Sequence, residues 1–392
     1  MSKDLKIALV HDDLIQHGGA ERLFEVMIET FPEADVFTSM ASNRWQVQSA
    51  KFKVQNLAQN LKLRTSFMQI LPFKEKLYRH YFLLYPVAFE SFDFTDYDIV
   101  LSSSTRFAHG IVTRPETLHI CYMNTPPRMF WEPERYFEPP PARPGLAKVV
   151  LAPFLSYLRL WDYTAAQRVD YFIANSKTPQ ARIKKYYGRD STIIYPFVDL
   201  ERFSECQCVN VSMCQSNYFL IVSRLTSWKK IDIAVEACNQ LQLPLKIIGE
   251  GPDRPRLEKL AGLPVGRQDP TVELLGRLTD EEVVSYYQSC SALIFPQKED
   301  FGITPLEAMA CGKPVVAFEG GGALETVLAG KTGEFFYPQT AEALATVLKD
   351  FDPNRYQKED CRRQAEKFSK KRFQQELRSF VEKTYEQYSR SL

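Results

Sequence analysis

Long hydrophobic runs are missing from this sequence. None of its 392 residues lies in an apolar stretch near the roughly 20 needed to cross a bilayer, which excludes a membrane-spanning helix. Charge of one sign is also missing. The formal net charge is +1, which argues against bulk nucleic acid as a partner. The eight cysteines form no disulfide framework. Cys206, Cys208 and Cys214 cluster, but their spacing lacks a fourth ligand or a nearby histidine, so no zinc site is expected. The other cysteines sit in apolar runs and read as small core residues, which suits a reducing compartment. No signal-peptide apolar region follows Met1-Ser2-Lys3-Asp4-Leu5-Lys6, and the expected location is cytoplasmic. A GxGxxG dinucleotide fingerprint is absent as well.

What is present is an ordinary globular composition, 45% hydrophobic and 25% charged, in a chain long enough for about two domains. Lys6 to His11 is a continuous apolar strand, and a loop with Gly18 and Gly19 leads from it to a helix on which Leu23, Val26, Met27 and Phe31 keep helical spacing. Strand, glycine loop and helix suggest close backbone approach to a ligand, although a tight turn explains the same residues. Residues 60–92, rich in Leu, Phe and Tyr with Lys74, Lys76, Arg79 and His80 interleaved, read as one or two amphipathic helices. They either pack on the sheet with a charged outer face, the favoured reading, or lie on a membrane surface.

Further strands are expected at Asp98–Ser103, Leu118–Tyr122, Tyr171–Ala174 and Ile193–Pro196. The second of these is preceded by Ser104, Arg106 and His109 at one strand end and followed by Asn124, Thr125 and Arg128 at the next. Pro133 to Pro144 reads as an irregular loop, Lys148 to Arg168 as a long helix, and Asp199 to Asn217 as a linker. The second half alternates apolar runs with helical patterns: Tyr218–Ser223, Leu245–Gly249, Val272–Gly276, Ala292–Pro296, Pro314–Phe318 and Gly333–Tyr337. That alternation marks a parallel sheet with helices on both faces. The charged helical tail from Arg355 to Ser391 is expected to send its last helix back across the first domain.

Ligands in open α/β sheets bind at the carboxyl ends of strands, and here those ends carry the chemistry. Arg224 and Lys229 follow the first strand of the second half and suit a pyrophosphate, the one as a planar fork and the other as a point charge. A solvated basic turn is the competing reading for these two alone. Glycine turns follow at Gly249-Glu250-Gly251-Pro252 and Gly276-Arg277-Leu278. The next strand runs into Glu299, Gly302, Ile303, Thr304 and Glu307, a loop and helix start that make an anion site. Thr304 can cap that helix with Pro305 in its first position, and Thr304-Pro305-Leu306-Glu307 also fits a capping box that would keep Glu307 for structure. Glu299, in the loop, is left to accept hydrogen bonds from sugar hydroxyls.

The set Arg224/Lys229, Glu299-x7-Glu307, Gly249-Glu250-Gly251-Pro252, Gly18-Gly19-Ala20-Glu21-Arg22 and Tyr195-Pro196-Phe197-Val198-Asp199 resembles glycosyltransferase family 4 along nearly the whole chain. The resemblance implies a GT-B fold: two Rossmann-like domains whose parallel sheets face a central cleft, with the C-terminal helix crossing back. Residues 1–198 with about 372–392 would take the acceptor, and 199–371 the nucleotide-sugar donor. It further implies that Arg224 and Lys229 bind the donor pyrophosphate, Glu299 the donor-sugar hydroxyls and Glu307 the ribose. Gly19, beside Gly18, would approach the diphosphate, and Arg277 and Leu278 the base. No metal or cofactor is implied; the nucleotide-sugar is a substrate.

Many relatives resembling this branch carry histidine where this chain has Asn124. Asparagine can hydrogen-bond a sugar but cannot relay a proton near neutral pH. Either His109 or a neighbouring acid substitutes, or the leaving phosphate takes the acceptor proton, or activity is low. His109 reads equally well as a structural turn residue. The expected function is retaining transfer of a hexose from a UDP- or GDP-sugar to a hydroxyl of a saccharide or lipid-linked saccharide, with peripheral membrane contact at the inner face and no nucleic acid partner. The alternative is a non-catalytic or low-activity sugar-nucleotide-binding protein of the same fold. An epimerase or a phosphorylase-like enzyme would share the fold without needing the glutamate pair, and a scaffold role would leave the polar strand ends unexplained.

Overall fold

The computed structural model describes residues 5–16, 18–43, 45, 62–133, 146–204, 217–262 and 271–391. The cysteine cluster at 206, 208 and 214 and almost all of the proline-rich loop lie outside the described residues. Two compact units are formed, one by Met1–Tyr195 with Phe373–Leu392 and the other by Pro196–Arg372.

The first unit holds a seven-stranded sheet in the order β3-β2-β1-β4-β5-β6-β7. Its strands are β1 (Ile7–His11), β2 (Asp35–Thr38), β3 (Leu63–Thr65), β4 (Ile99–Ser104), β5 (Leu118–Met123), β6 (Tyr171–Ala174) and β7 (Ser191–Ile193), and every pairing is parallel. β4 and β5 are buried along their whole length, as strands covered on both faces must be. The last strand lies slightly earlier than the expected Ile193–Pro196.

The described part of the 60–92 stretch, residues 62–92, does not form the one or two amphipathic helices expected there. β3 is followed by a 3₁₀ turn at Phe67–Ile70 and by two short helices, Lys74–Leu77 and Tyr85–Glu90. Phe73 takes a left-handed backbone, φ 49°, which no helix accommodates, and so ends the pattern that the composition suggests. The helix Lys370–Ser389 packs on this unit: Phe373 meets Tyr122 edge-on, Arg378 donates to the Thr30 carbonyl and Tyr388 to the Pro115 carbonyl.

The second unit holds a six-stranded parallel sheet in the order β10-β9-β8-β11-β12-β13. The strands are β8 (Phe219–Val222), β9 (Leu245–Ile248), β10 (Val272–Gly276), β11 (Ala292–Phe295), β12 (Val315–Phe318) and β13 (Gly333–Phe336). Ile221, Ile247, Ile294 and Val316 meet Ala234, Val235, Leu344 and Leu348 of the covering helices in one core. The two sheets share a plan. In each, the first strand of the unit has later strands on both sides, so the chain reverses its winding between β1 and β4 and again between β8 and β11. Such reversals open a crevice at the carboxyl edge.

Candidate active site

In the second unit the reversal lies between the loop after β8 and the loop after β11. Ser227–Lys229 is a 3₁₀ turn, and Lys230 adopts φ 52° before the helix Ile231–Leu241 begins. This sharp exit turns Lys229 toward β11, where its ammonium forms an ion pair with Glu299. The Lys229 and Glu299 side chains are only 12% and 20% exposed, so water screens the pair less than at a surface. Lys229 also stands over the Trp228 ring at 4.3 Å, and Gln297 donates to Glu299 at 3.3 Å. Arg224 and Arg277 are exposed, while Leu278, Ile303 and Thr304 are half-buried.

The glycines around this pair are packing residues first. Gly249 has φ 139°, and a Cβ there would stand 1.9 Å from the Ser223 carbonyl oxygen; only glycine lets β9 run against the loop that carries Arg224. Gly251 lies against the Leu225 carbonyl in the same way, and Leu225 N–H donates to the Glu250 carbonyl at 3.0 Å. Gly321, at φ 67°, lies on the Glu299 carbonyl, and Gly322 N–H donates to that oxygen at 2.9 Å. Gly302 sits against the Phe295 ring. The loop after β11 is thereby fixed from both sides.

The helix start differs from the expectation. Thr304 is the first helical residue of Thr304–Ala310, Pro305 follows it, and Ile303 is the cap without a side-chain hydrogen bond. No capping box forms. Glu307 accepts from the Tyr287 hydroxyl at 2.7 Å instead, and burial, followed by the negative charge of Glu307, pushes the Tyr287 hydroxyl up so that it stays a donor.

In the first unit, Gly18 caps the helix Gly19–Thr30 and its N–H donates to Glu21 at 2.8 Å. Asn124 follows β5 and turns its amide back on β4, donating to Ser103 Oγ at 3.3 Å and approaching the Ser104 carbonyl at 3.5 Å. His109 is fully buried. Its Nδ1 lies 3.1 Å from Ser104 Oγ and its Nε2 3.1 Å from Asp162, with the Trp161 and Tyr187 rings beside it. His109 thus lies in the interior with a side-chain partner near each ring nitrogen.

Two residues that the sequence did not single out stand at the reversal of the first sheet. Asp12 follows β1 and is fully buried. One of its oxygens accepts from the N–H groups of Phe107 and Ala108, each at 2.7 Å, and the other from Thr105 N–H and hydroxyl, each at 2.6 Å, and from Arg106 N–H at 2.9 Å. Burial opposes its charge, yet Arg106, His11 and these hydrogen bonds hold its carboxyl below the usual carboxylate range. Asp13 pairs with the Arg106 guanidinium and accepts from the Tyr85 hydroxyl at 3.3 Å. Burial raises the Asp13 carboxyl despite that guanidinium. The available signal was two carboxylates directly after an apolar strand.

Two parallel α/β units, each with charged side chains where the winding reverses, are the architecture of the GT-B glycosyltransferases. The solved structure of HepE from Anabaena with UDP and glucose matches 97% of this chain and 100% of its own at a TM-score of 0.69 and 19% identity. Sucrose-phosphate synthase from Thermosynechococcus elongatus matches 97% and 99% at 0.69 and 17% identity. The family described as Glycosyltransferase Family 4 matches residues 17–202, and Glycosyl transferases group 1 matches residues 211–368. The chain belongs to the group 1, family 4 glycosyltransferases.

Among curated relatives, the O-antigen chain mannosyltransferase C of Escherichia coli is 28% identical over 211 residues, 50% of this chain and 54% of the relative. A GDP-mannose-dependent phosphatidylinositol monomannoside mannosyltransferase of Mycolicibacterium smegmatis is 30% identical over 204 residues, 46% and 53%. The chain spans about half the length of the curated relatives it matches.

Proposed function

We propose that this protein transfers a hexose, with retention of configuration, from a UDP- or GDP-sugar to a hydroxyl of a saccharide or lipid-linked saccharide. The observation that carries the reading is the Lys229–Glu299 pair across the reversal of the second sheet. A diphosphate lying over that edge meets Lys229 as a point charge and Arg224 as a fork, and both gain as negative charge builds on the leaving group. Glu299, once it shares Lys229 with the phosphate, turns acceptor oxygens to the hydroxyls of the donor sugar. Glu307, steadied by Tyr287, receives the ribose, and Gly18, Gly19, Arg277 and Leu278 complete the donor contacts. The second unit is then the donor unit and the first the acceptor unit. UDP and glucose in the HepE structure, and GDP-mannose in the name of the mycobacterial relative, support both donor classes.

With His109 sealed away and Asn124 without a proton to relay, the leaving phosphate takes the proton of the acceptor hydroxyl. The turned-back amide of Asn124 favours a second reading, a sugar-nucleotide-binding protein of low activity. Membrane contact is supported by the outward side chains of Ile70 and Phe73, 87% and 75% exposed, beside Lys74 and Lys76, an apolar and basic surface suited to anionic lipid. No helix among the described residues is long and apolar enough to cross a membrane.

The test is a thermal-shift screen against UDP-, GDP- and ADP-sugars, followed by assay of nucleotide release. One of these donors should stabilise the fold, and Glu299→Ala should abolish release while its circular dichroism stays native. Normal turnover by that variant would remove the role given to Glu299.

A further inference from the structure

Glu299 receives two donors on one oxygen. The Lys229 ammonium and the side-chain amide of Gln297, the latter at 3.3 Å, both meet its Oε1, and neither uses Oε2. The ammonium is assigned to the leaving diphosphate above. The amide has no assignment, and packing does not explain it.

Gln297 is 2% exposed, and its own Oε1 is buried with no hydrogen-bond partner among the described residues. A buried amide oxygen left unpaired costs stability, so an apolar side chain of the same length would suit this interior better. Turning the amide over brings no relief, because it would set the amide oxygen against the Glu299 carboxylate. Nor does the loop after β11 need Gln297 to keep its path. Gln339 donates to the Pro296 carbonyl at 2.7 Å, and Gly322 N–H donates to the Glu299 carbonyl at 2.9 Å. The backbone is thus pinned on both sides of Gln297, and what remains for its side chain is the Glu299 carboxylate.

The two donors on Oε1 respond differently to a ligand. Lys229 is a point charge on a flexible stem, and an arriving diphosphate draws its ammonium away from the carboxylate. The buried Gln297 amide carries no charge and stays where it is. We infer that Gln297 is a positioning residue for Glu299. It holds Oε1 while Lys229 serves the phosphate, so that Oε2 faces the hydroxyls of the donor sugar. A contact residue keeps its geometry only where a packed neighbour fixes its rotamer, and Gln297 is that neighbour here. It acts through the carboxylate and not on the substrate. The inference rests on the donor reading of Lys229 and Glu299.

The experiment is calorimetric titration of the full chain with UDP-glucose, GDP-mannose, UDP and GDP, alongside thermal unfolding. Gln297→Met, which keeps the length and removes the amide, should weaken the nucleotide-sugar that wild type binds by about tenfold. It should leave the matching free nucleotide within about twofold and unfold no earlier than wild type, since no unpaired oxygen remains. Gln297→Asn, whose amide is too short to reach Glu299, should show the same selective fall. In a Glu299→Ala background, Gln297→Met should add nothing, because its effect runs through that carboxylate. Unchanged nucleotide-sugar affinity, an equal loss for the free nucleotide, or a full second loss in the Glu299→Ala background would overturn the role. So would a lower unfolding temperature with wild-type binding, which is the mark of a purely structural glutamine. A wild type that binds neither nucleotide-sugar would instead strike the donor reading, and this inference with it.

Discussion

Asp12 is the residue on which the first unit's loops depend. A buried carboxylate that receives backbone donors from one short segment cannot be removed without leaving those donors unpaired. Asp12→Ala should lose about 3–5 kcal/mol, read as a lower urea midpoint. Because its folded value is depressed, its contribution is present above the unfolded carboxylate value of about 4 and is lost as pH falls below it. His119 adds a second acid limb. Burial, then the proximity of His109 and Arg168, pushes its imidazole down to about 3. The folded protein therefore keeps His119 neutral while the unfolded chain charges it. Stability should fall by about 1.4 kcal/mol per unit as pH drops below about 6.5. Urea unfolding from pH 7 to 4 measures this; a His119→Gln variant that kept the same slope would remove its cause.

At the scale of elements, the close approach of β9 to the loop after β8 is a tight constraint. Gly249→Ala places a methyl against the Ser223 carbonyl in a backbone region that side chains avoid. It should cost more than about 1 kcal/mol and weaken nucleotide binding by displacing Arg224, both measurable on one preparation. The short elements after β3 make a different prediction. Replacing Ile70 and Phe73 by Ser should abolish sedimentation with phosphatidylglycerol vesicles and leave thermal stability unchanged; equal sedimentation by the variant would send the membrane reading elsewhere.

These elements also mark where the sequence could be read. The second unit was legible strand by strand, since its buried strands are continuous apolar runs separated by amphipathic helices. β2 and β3 were not, being short and of mixed composition, Asp35–Thr38 and Leu63–Thr65. Glu307 shows how a local pattern misleads: a capping-box spelling served a tertiary contact with Tyr287. Asp13 was missed because its partner, Arg106, lies 93 positions away, and only the sheet order brings them together.

In the whole molecule the two units repeat one plan. Each unit presents a charged pair where its sheet reverses, Lys229 with Glu299 in the second and Asp13 with Arg106 in the first. The families matched along 17–202 and 211–368 cover both units, but the donor grip is the part on which the rest depends. Calorimetric titration of the donor nucleotide into wild type, Lys229→Ala, Glu299→Ala and the double variant tests it most directly. The account predicts that Lys229→Ala loses about 2 kcal/mol, close to 30-fold in affinity, and that the two losses are not additive because the side chains share one site. Wild-type affinity in Lys229→Ala, or strictly additive losses, would contradict it.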